Sequence, residues 1–192
     1  MKTSVAVLAA GESSRFDGIK QLAMVGQCTM LSQVLSQVRQ LNVAHMQVCL
    51  GAYFDEIAST VPADFNIIQV DKWQDGLSAS LHQAVHACPA NCSHLLIVLA
   101  DQISVTSHHL ELLLSKAVQL PESIVCAKLP SVNSVPAIFP RKYFTQLLAC
   151  SGDKGARQIL NGKASVSTID LPQAAIDIDT RTELAAFLKT KS

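Results

Sequence analysis

Two apolar runs in this chain lack the alternation of a half-exposed strand: Val5-Ala6-Val7-Leu8-Ala9-Ala10 and Leu95-Leu96-Ile97-Val98-Leu99-Ala100. A strand that is apolar on both faces must be covered on both, as happens to central strands of a parallel sheet flanked by helices. Each run ends at residues able to do chemistry. The first opens at Gly11 into a small polar loop with two cations, Arg15 and Lys20, and the second ends at Asp101. Ligands bind at the carboxyl ends of such strands, so both groups are expected on one sheet edge.

The remaining pattern extends this βα rhythm. Leu31, Val34, Leu35, Val38 and Leu41 predict a helix over 30–41. A strand follows at 45–50, a short helix at 55–60 and a strand at 66–70. The polar segment 71–76 leads into a helix from Leu77 that ends before Pro89, then come the strand at 95–100 and a helix over 107–118. Strands are expected at 123–127 and 136–139, separated by a loop containing Pro130, Asn133 and Ser134. A helix at 141–149, a turn at 151–155 capping a helix to Leu160, strands at 166–169 and 176–178 and a helix over 180–188 complete the chain. No repeat or linker interrupts it, so the expectation is a single α/β domain over residues 1–192, a three-layer sandwich around a mostly parallel mixed sheet.

Composition narrows the partners. Fifteen basic residues balance fifteen acidic ones, without the basic excess of a general nucleic-acid or membrane-surface binder. No apolar stretch approaches the roughly 20 residues of a membrane span. The first apolar run passes straight into a loop with Glu12 and Arg15, unlike a signal peptide. The six cysteines read as reduced buried thiols, and the expected location is cytoplasmic.

Four features carry candidate chemistry. The Gly11–Lys20 loop offers backbone N–H groups and two cations to an anion, although it is neither a P-loop nor a dinucleotide fingerprint. The competing account is a solvated loop with surface cations. Asp101, just past a central strand, suits a magnesium ligand or an ordinary turn aspartate. Asp177 and Asp179 alternate with Ile176 and Ile178, so in a strand both carboxylates project to one side, where a cation relieves their repulsion. Helix capping at Asp179 or Thr180 is the alternative. Gly76, Ser78 and Ser80 open a helix with free N–H groups and hydroxyls, or serve as a common serine cap. His82, His86, Cys88, Cys92 and His94 are interrupted by Pro89 and match no familiar zinc spacing.

Taken in order, these features resemble the MobA/MocA-like nucleotidyltransferases, most closely the molybdenum-cofactor cytidylyltransferase branch. Leu8-Ala9-Ala10-Gly11, Ser14-Arg15-Phe16 and Lys20-Gln21-Leu22 look like the family's opening motif. Asp75 to Leu81, Ala100-Asp101-Gln102, Gly152 to Arg157 and Asp177-Ile178-Asp179-Thr180 look like its later ones. The resemblance implies a Rossmann-like, glycosyltransferase-A-type fold and transfer of a nucleoside monophosphate, with loss of pyrophosphate, to a phosphate-bearing acceptor. It implies a nucleotide site of Leu8, Ala9, Ala10, Gly11, Ser14, Arg15, Lys20, Gly76, Ser78 and Ser80. Arg15, Lys20 and Asp101 would be catalytic, and magnesium would be held by Asp101 with Asp177 or Asp179. LAAG in place of LAGG favours CTP, and molybdopterin is the implied acceptor, with a molybdoenzyme or cofactor carrier as partner. A sugar- or alcohol-phosphate acceptor, or a non-catalytic nucleotide-binding accessory role, are the rival readings. The sequence departs from the family at displaced Gly18, at Ile103 in place of proline, and at Asn133-Ser134-Val135-Pro136, which lacks the usual glycine and histidine.

Overall fold

A computed structural model describes residues 1–162 and 164–190. The first apolar run forms β1 (Thr3–Ala9), buried along its whole length. After the loop come the hairpin β2 (Met24–Val25) and β3 (Cys28–Thr29), α1 (Met30–Val38), β4 (His45–Leu50), α2 (Phe54–Ala58) and β5 (Asn66–Gln69). α3 (Leu77–His86), β6 (His94–Leu99), α4 (Ser107–Gln119), β7 (Ile124–Lys128) and β8 (Asn133–Pro140) follow. The chain continues through α5 (Phe144–Leu148), α6 (Arg157–Leu160), β9 (Val166–Asp170) and α7 (Arg181–Thr190).

The main sheet has seven strands in the order β5-β4-β1-β6-β8-β7-β9. β4 and β6 pair in parallel with β1 on either side, and β8 alone runs against its neighbours β6 and β7. Side chains of β1 divide by strand geometry. Val5, Val7 and Ala9 join one core with Leu31, Leu35, Leu110 and Leu184, whereas Ala6, Leu8 and Ala10 join another with Leu81, Val85, Leu147 and Leu160. Helices α1, α4 and α7 therefore cover one face and α3, α5 and α6 the other. This is the expected three-layer arrangement, and it explains why the β1 and β6 sequences do not alternate.

The chain leaves β1 toward β4 and β5 on one side and returns as β6 on the other. That reversal opens a crevice at the carboxyl ends of β1 and β6, where open α/β sheets bind ligands.

The structure corrects three expectations. Residues 176–178 form no strand: the edge beyond β7 is taken by β9, and a 3₁₀ turn, Pro172–Ala175, carries the chain away. Ile176 is 42% exposed and Ile178 only 2%, so the two isoleucines do not share a face. Asn133 and Ser134 belong to β8 and pair with Lys128 and Ala127, not to a separating loop. The helix expected at 141–149 begins as a 3₁₀ turn, Arg141–Tyr143, before α5.

Candidate functional site

The loop after β1 is held from beneath by Gln21, whose Nε2 donates to the carbonyls of Ala9 and Gly11 at 2.9 Å each. With those carbonyls turned down, Gly11 faces open space, and a Cβ there would meet nothing within 4 Å. The far side of the loop is fastened to α7. Arg181 Nε donates to the Asp17 carbonyl at 2.8 Å, and its guanidinium lies 5.5 Å from the centre of the buried Phe16 ring. A 3₁₀ turn, Lys20–Leu22, then buries Lys20 and Gln21.

Lys20 is the electrostatic centre. Its Nζ lies 3.0 Å from Asp101 Oδ2 and 3.0 Å from Asp179 Oδ1. Arg15, on the exposed part of the loop, donates to Asp179 Oδ2 at 2.7 Å. Desolvation raises the Asp179 pKa, but the hydrogen bonds and charges of Lys20 and Arg15 outweigh it and hold the carboxyl below its ordinary value. Asp177 behaves oppositely. Loss of hydration, then the charges of Asp101 and Asp179, push it up to about 6.

This shift has a sign that can be checked. The folded chain keeps the Asp177 proton up to about pH 6, and the unfolded chain releases it near 3.8. Between those values the folded state binds more protons, so this group's contribution to stability falls as pH rises. Asp177→Asn is expected to flatten the melting-temperature profile across that window. It should also gain about 1 kcal/mol or less at pH 7, once solvent screening is allowed for. A melt series that keeps the wild-type slope would contradict the assignment.

Leu8, Ala9, Ala10, Gly11, Ser14, Arg15 and Lys20 line one cleft of about 520 Å³, together with Gly76, Ser80, Asp101 and Asp179. Ser78 and Asp177 do not line it: Ser78 is buried, and Asp177, exposed on the loop before α7, is near enough to feel the charges of Asp101 and Asp179 without facing the cleft. Trp73, Gln74, Leu77 and Asp153 form the opposing wall and were not singled out by sequence reasoning as site residues. Two glycines bring this wall close. A Cβ on Gly51 would lie 2.5 Å from Trp73 Cβ and 2.7 Å from the Ala10 carbonyl. Gly76 combines φ of +90° with contact against Asp153, a place no other residue fits without strain. The glycine-aspartate turn at 152–153 was the available signal for Asp153.

The carboxylates suit a hard cation. Their donor set is all oxygen, and Asp101 Oδ1 is buried without a hydrogen-bond partner. Among the described residues, no three His, Cys, Asp or Glu side chains already form a metal cage. Magnesium does not require one, because it takes one or two carboxylates and completes its shell with water and phosphate. Elsewhere, His82 pairs with the Cys150 carbonyl and His94 with that of Pro121, each at 3.0 Å. No helix among the described residues is long and apolar enough to cross a membrane.

The chain matches the MobA-like NTP transferase domain over residues 5–168. No curated protein sequence matches it. Among solved structures it is similar to Rv0371c of Mycobacterium tuberculosis H37Rv, with 23% identity, 98% of each chain covered and a TM-score of 0.85. The homologue of that protein from Mycobacterium sp. strain JC1 is 26% identical over 98% of this chain and 96% of its own, with a TM-score of 0.83. Molybdopterin-guanine dinucleotide biosynthesis protein A from Archaeoglobus fulgidus is 16% identical over 98% of each chain, with a TM-score of 0.72. These structures share the Rossmann-like fold described above.

Proposed function

The chain belongs to the MobA-like NTP transferase family, and on that premise we propose that it transfers CMP from CTP to a phosphate-bearing small molecule, with molybdopterin as the acceptor, and releases pyrophosphate. The observation that carries this reading is the convergence of Arg15, Lys20, Asp101 and Asp179 on one cleft beside the Leu8–Gly11 backbone. Those cations match a triphosphate, and the carboxylates match the magnesium that accompanies it. The alanine of Leu8-Ala9-Ala10-Gly11, where guanylyl-transferring relatives carry glycine, favours cytosine.

In the reaction an acceptor phosphate oxygen bonds to the α-phosphorus as the bond to pyrophosphate breaks. The Ala10 and Gly11 backbone approaches the base and phosphates. Ser80, on the facing wall, donates to the nucleotide. Lys20 exchanges its carboxylate partners for phosphate oxygens, and Arg15 turns from Asp179 to the same anion. Magnesium held by Asp101 with Asp177 or Asp179 would neutralise charge on the triphosphate and the leaving group. Positioning and charge compensation account for such catalysis, and no nucleophilic side chain is needed. The partner for the product is a molybdoenzyme or cofactor carrier in the cytoplasm, a setting that suits six free thiols.

One observation favours a second reading. The Asn133-Ser134-Val135-Pro136 segment lacks the glycine and histidine usual toward a molybdopterin acceptor, which fits a sugar- or alcohol-phosphate acceptor or an accessory protein that binds nucleotide without turnover. Pyrophosphate release measured with each NTP, magnesium and a panel of acceptors including molybdopterin separates these readings. Turnover should appear with CTP and molybdopterin. Folded protein that releases none with any combination defeats the enzymatic reading.

A further inference from the structure

Two buried glutamines stand at the exits of the two central strands, each directly after a charged residue of the cleft. Gln21 follows Lys20 and braces the loop after β1 through the Ala9 and Gly11 carbonyls. Gln102 follows Asp101 and is 1% exposed. Its Nε2 donates to the Val135 carbonyl at 3.0 Å and to the Ala174 carbonyl at 2.9 Å. In both residues Oε1 is buried and has no hydrogen-bond partner.

The partners of Gln102 come from separate parts of the chain. Val135 sits where the β7–β8 register slips, between the Cys126–Ala137 and Ala127–Ser134 pairs, so no β7 residue stands opposite it. Ala174 lies in the 3₁₀ turn that delivers Asp177 and Asp179. One amide thus joins the Asp101 turn, the irregular start of β8 and the approach to the second carboxylate pair. Space filling does not explain a glutamine here. Methionine has similar reach and would bury no unpaired oxygen, but it cannot hold two carbonyls.

We propose that Gln102 is the positioning residue of the carboxylate half of the site, fixing Asp101 relative to Asp179 so that both can face one cation. This rests on the metal-assisted nucleotidyl transfer proposed above. Residues that orient metal-binding side chains change metal affinity about 10–100-fold when replaced.

The test compares Gln102→Met, Gln21→Met and Asp101→Ala with the wild-type chain. Free Mn²⁺ is followed by electron paramagnetic resonance in the presence of α,β-methylene-CTP, and analogue binding is measured separately without metal. Gln102→Met should weaken Mn²⁺ binding about tenfold or more, with little change in metal-free analogue affinity, and should lower the melting temperature because the Val135 and Ala174 carbonyls lose their donor. Gln21→Met should show the reverse split. If Gln102→Met does not fold, Gln102→Leu takes its place. The proposal is overturned if the Gln102 variant binds Mn²⁺ as wild type does, or loses Mn²⁺ and metal-free analogue in equal measure, as general loosening would cause. Intact Mn²⁺ binding in Asp101→Ala would remove the metal assignment itself and this proposal with it. Loss in Asp101→Ala alone would remove only the role of Gln102.

Discussion

Asp101→Ala is expected to lower nucleotidyl transfer by on the order of 10²–10³-fold, the scale seen when a preorganised electrostatic group is lost, while the melting temperature hardly moves. The two halves of that expectation have separate causes. Activity falls because Asp101 is the carboxylate that β6 delivers to the cleft, and its Oδ1 has no partner within the protein. Stability holds because Lys20 keeps its 3.0 Å pairing with Asp179, and deleting a buried, unpaired oxygen relieves a desolvation penalty of about 1–3 kcal/mol that offsets the lost contact. Asp101→Asn, which keeps the shape and loses the charge, should lose comparable activity. Steady-state pyrophosphate release and a thermal melt on the same preparation check both halves. Activity within threefold of wild type would place the metal elsewhere.

Lys20→Met should give the larger loss of stability. It removes the ammonium between Asp101 and Asp179 and leaves these carboxylates beside Asp177 with no central cation. For partly exposed acceptors the loss at pH 7 is about 1–3 kcal/mol, less than for a fully buried pair. The pH dependence follows from the charges. Lys20 is one of the charges that hold the Asp177 pKa down to about 6; without it Asp177 keeps its proton to higher pH in the folded state, so the deficit should shrink as pH falls from 7 through 6. Nucleotide binding should weaken as well. A charged hydrogen bond to phosphate contributes about 1.5–3 kcal/mol, equivalent to roughly 10–100-fold in affinity. Denaturant melts at both pH values and calorimetric titration with CTP test this. An unchanged nucleotide affinity would show that Lys20 serves only to stabilise the carboxylates.

What could be read from the chain followed the range of the interactions involved. The non-alternating runs of β1 and β6 report burial on both faces, and that locates the layers and the crevice without any long-range information. Gly11, Arg15, Lys20 and Asp101 stand at the ends of those runs, so their common cleft could be anticipated. The alternation at 176–179 looked equally regular and misled, because a period of two arises in any extended segment with one buried anchor, here Ile178. The β2–β3 hairpin has only two residues per strand, too few for a period to show. Gln102 was legible only as part of the Ala100-Asp101-Gln102 motif, with no role of its own. Its partners lie 33 and 72 residues away, and their identity as bare carbonyls leaves no mark on the side chains at those positions.

The reversed direction of β8 has an evolutionary consequence. Because it runs against β6, its first residues, and not its last, reach the edge where Asp101 stands. The short β7–β8 connection that leads into those residues, 129–132, is a turn outside β1, β6 and the nucleotide loop. Under the function proposed above, mutations in that single turn would change the molecule that is modified while the nucleotide loop is inherited unaltered.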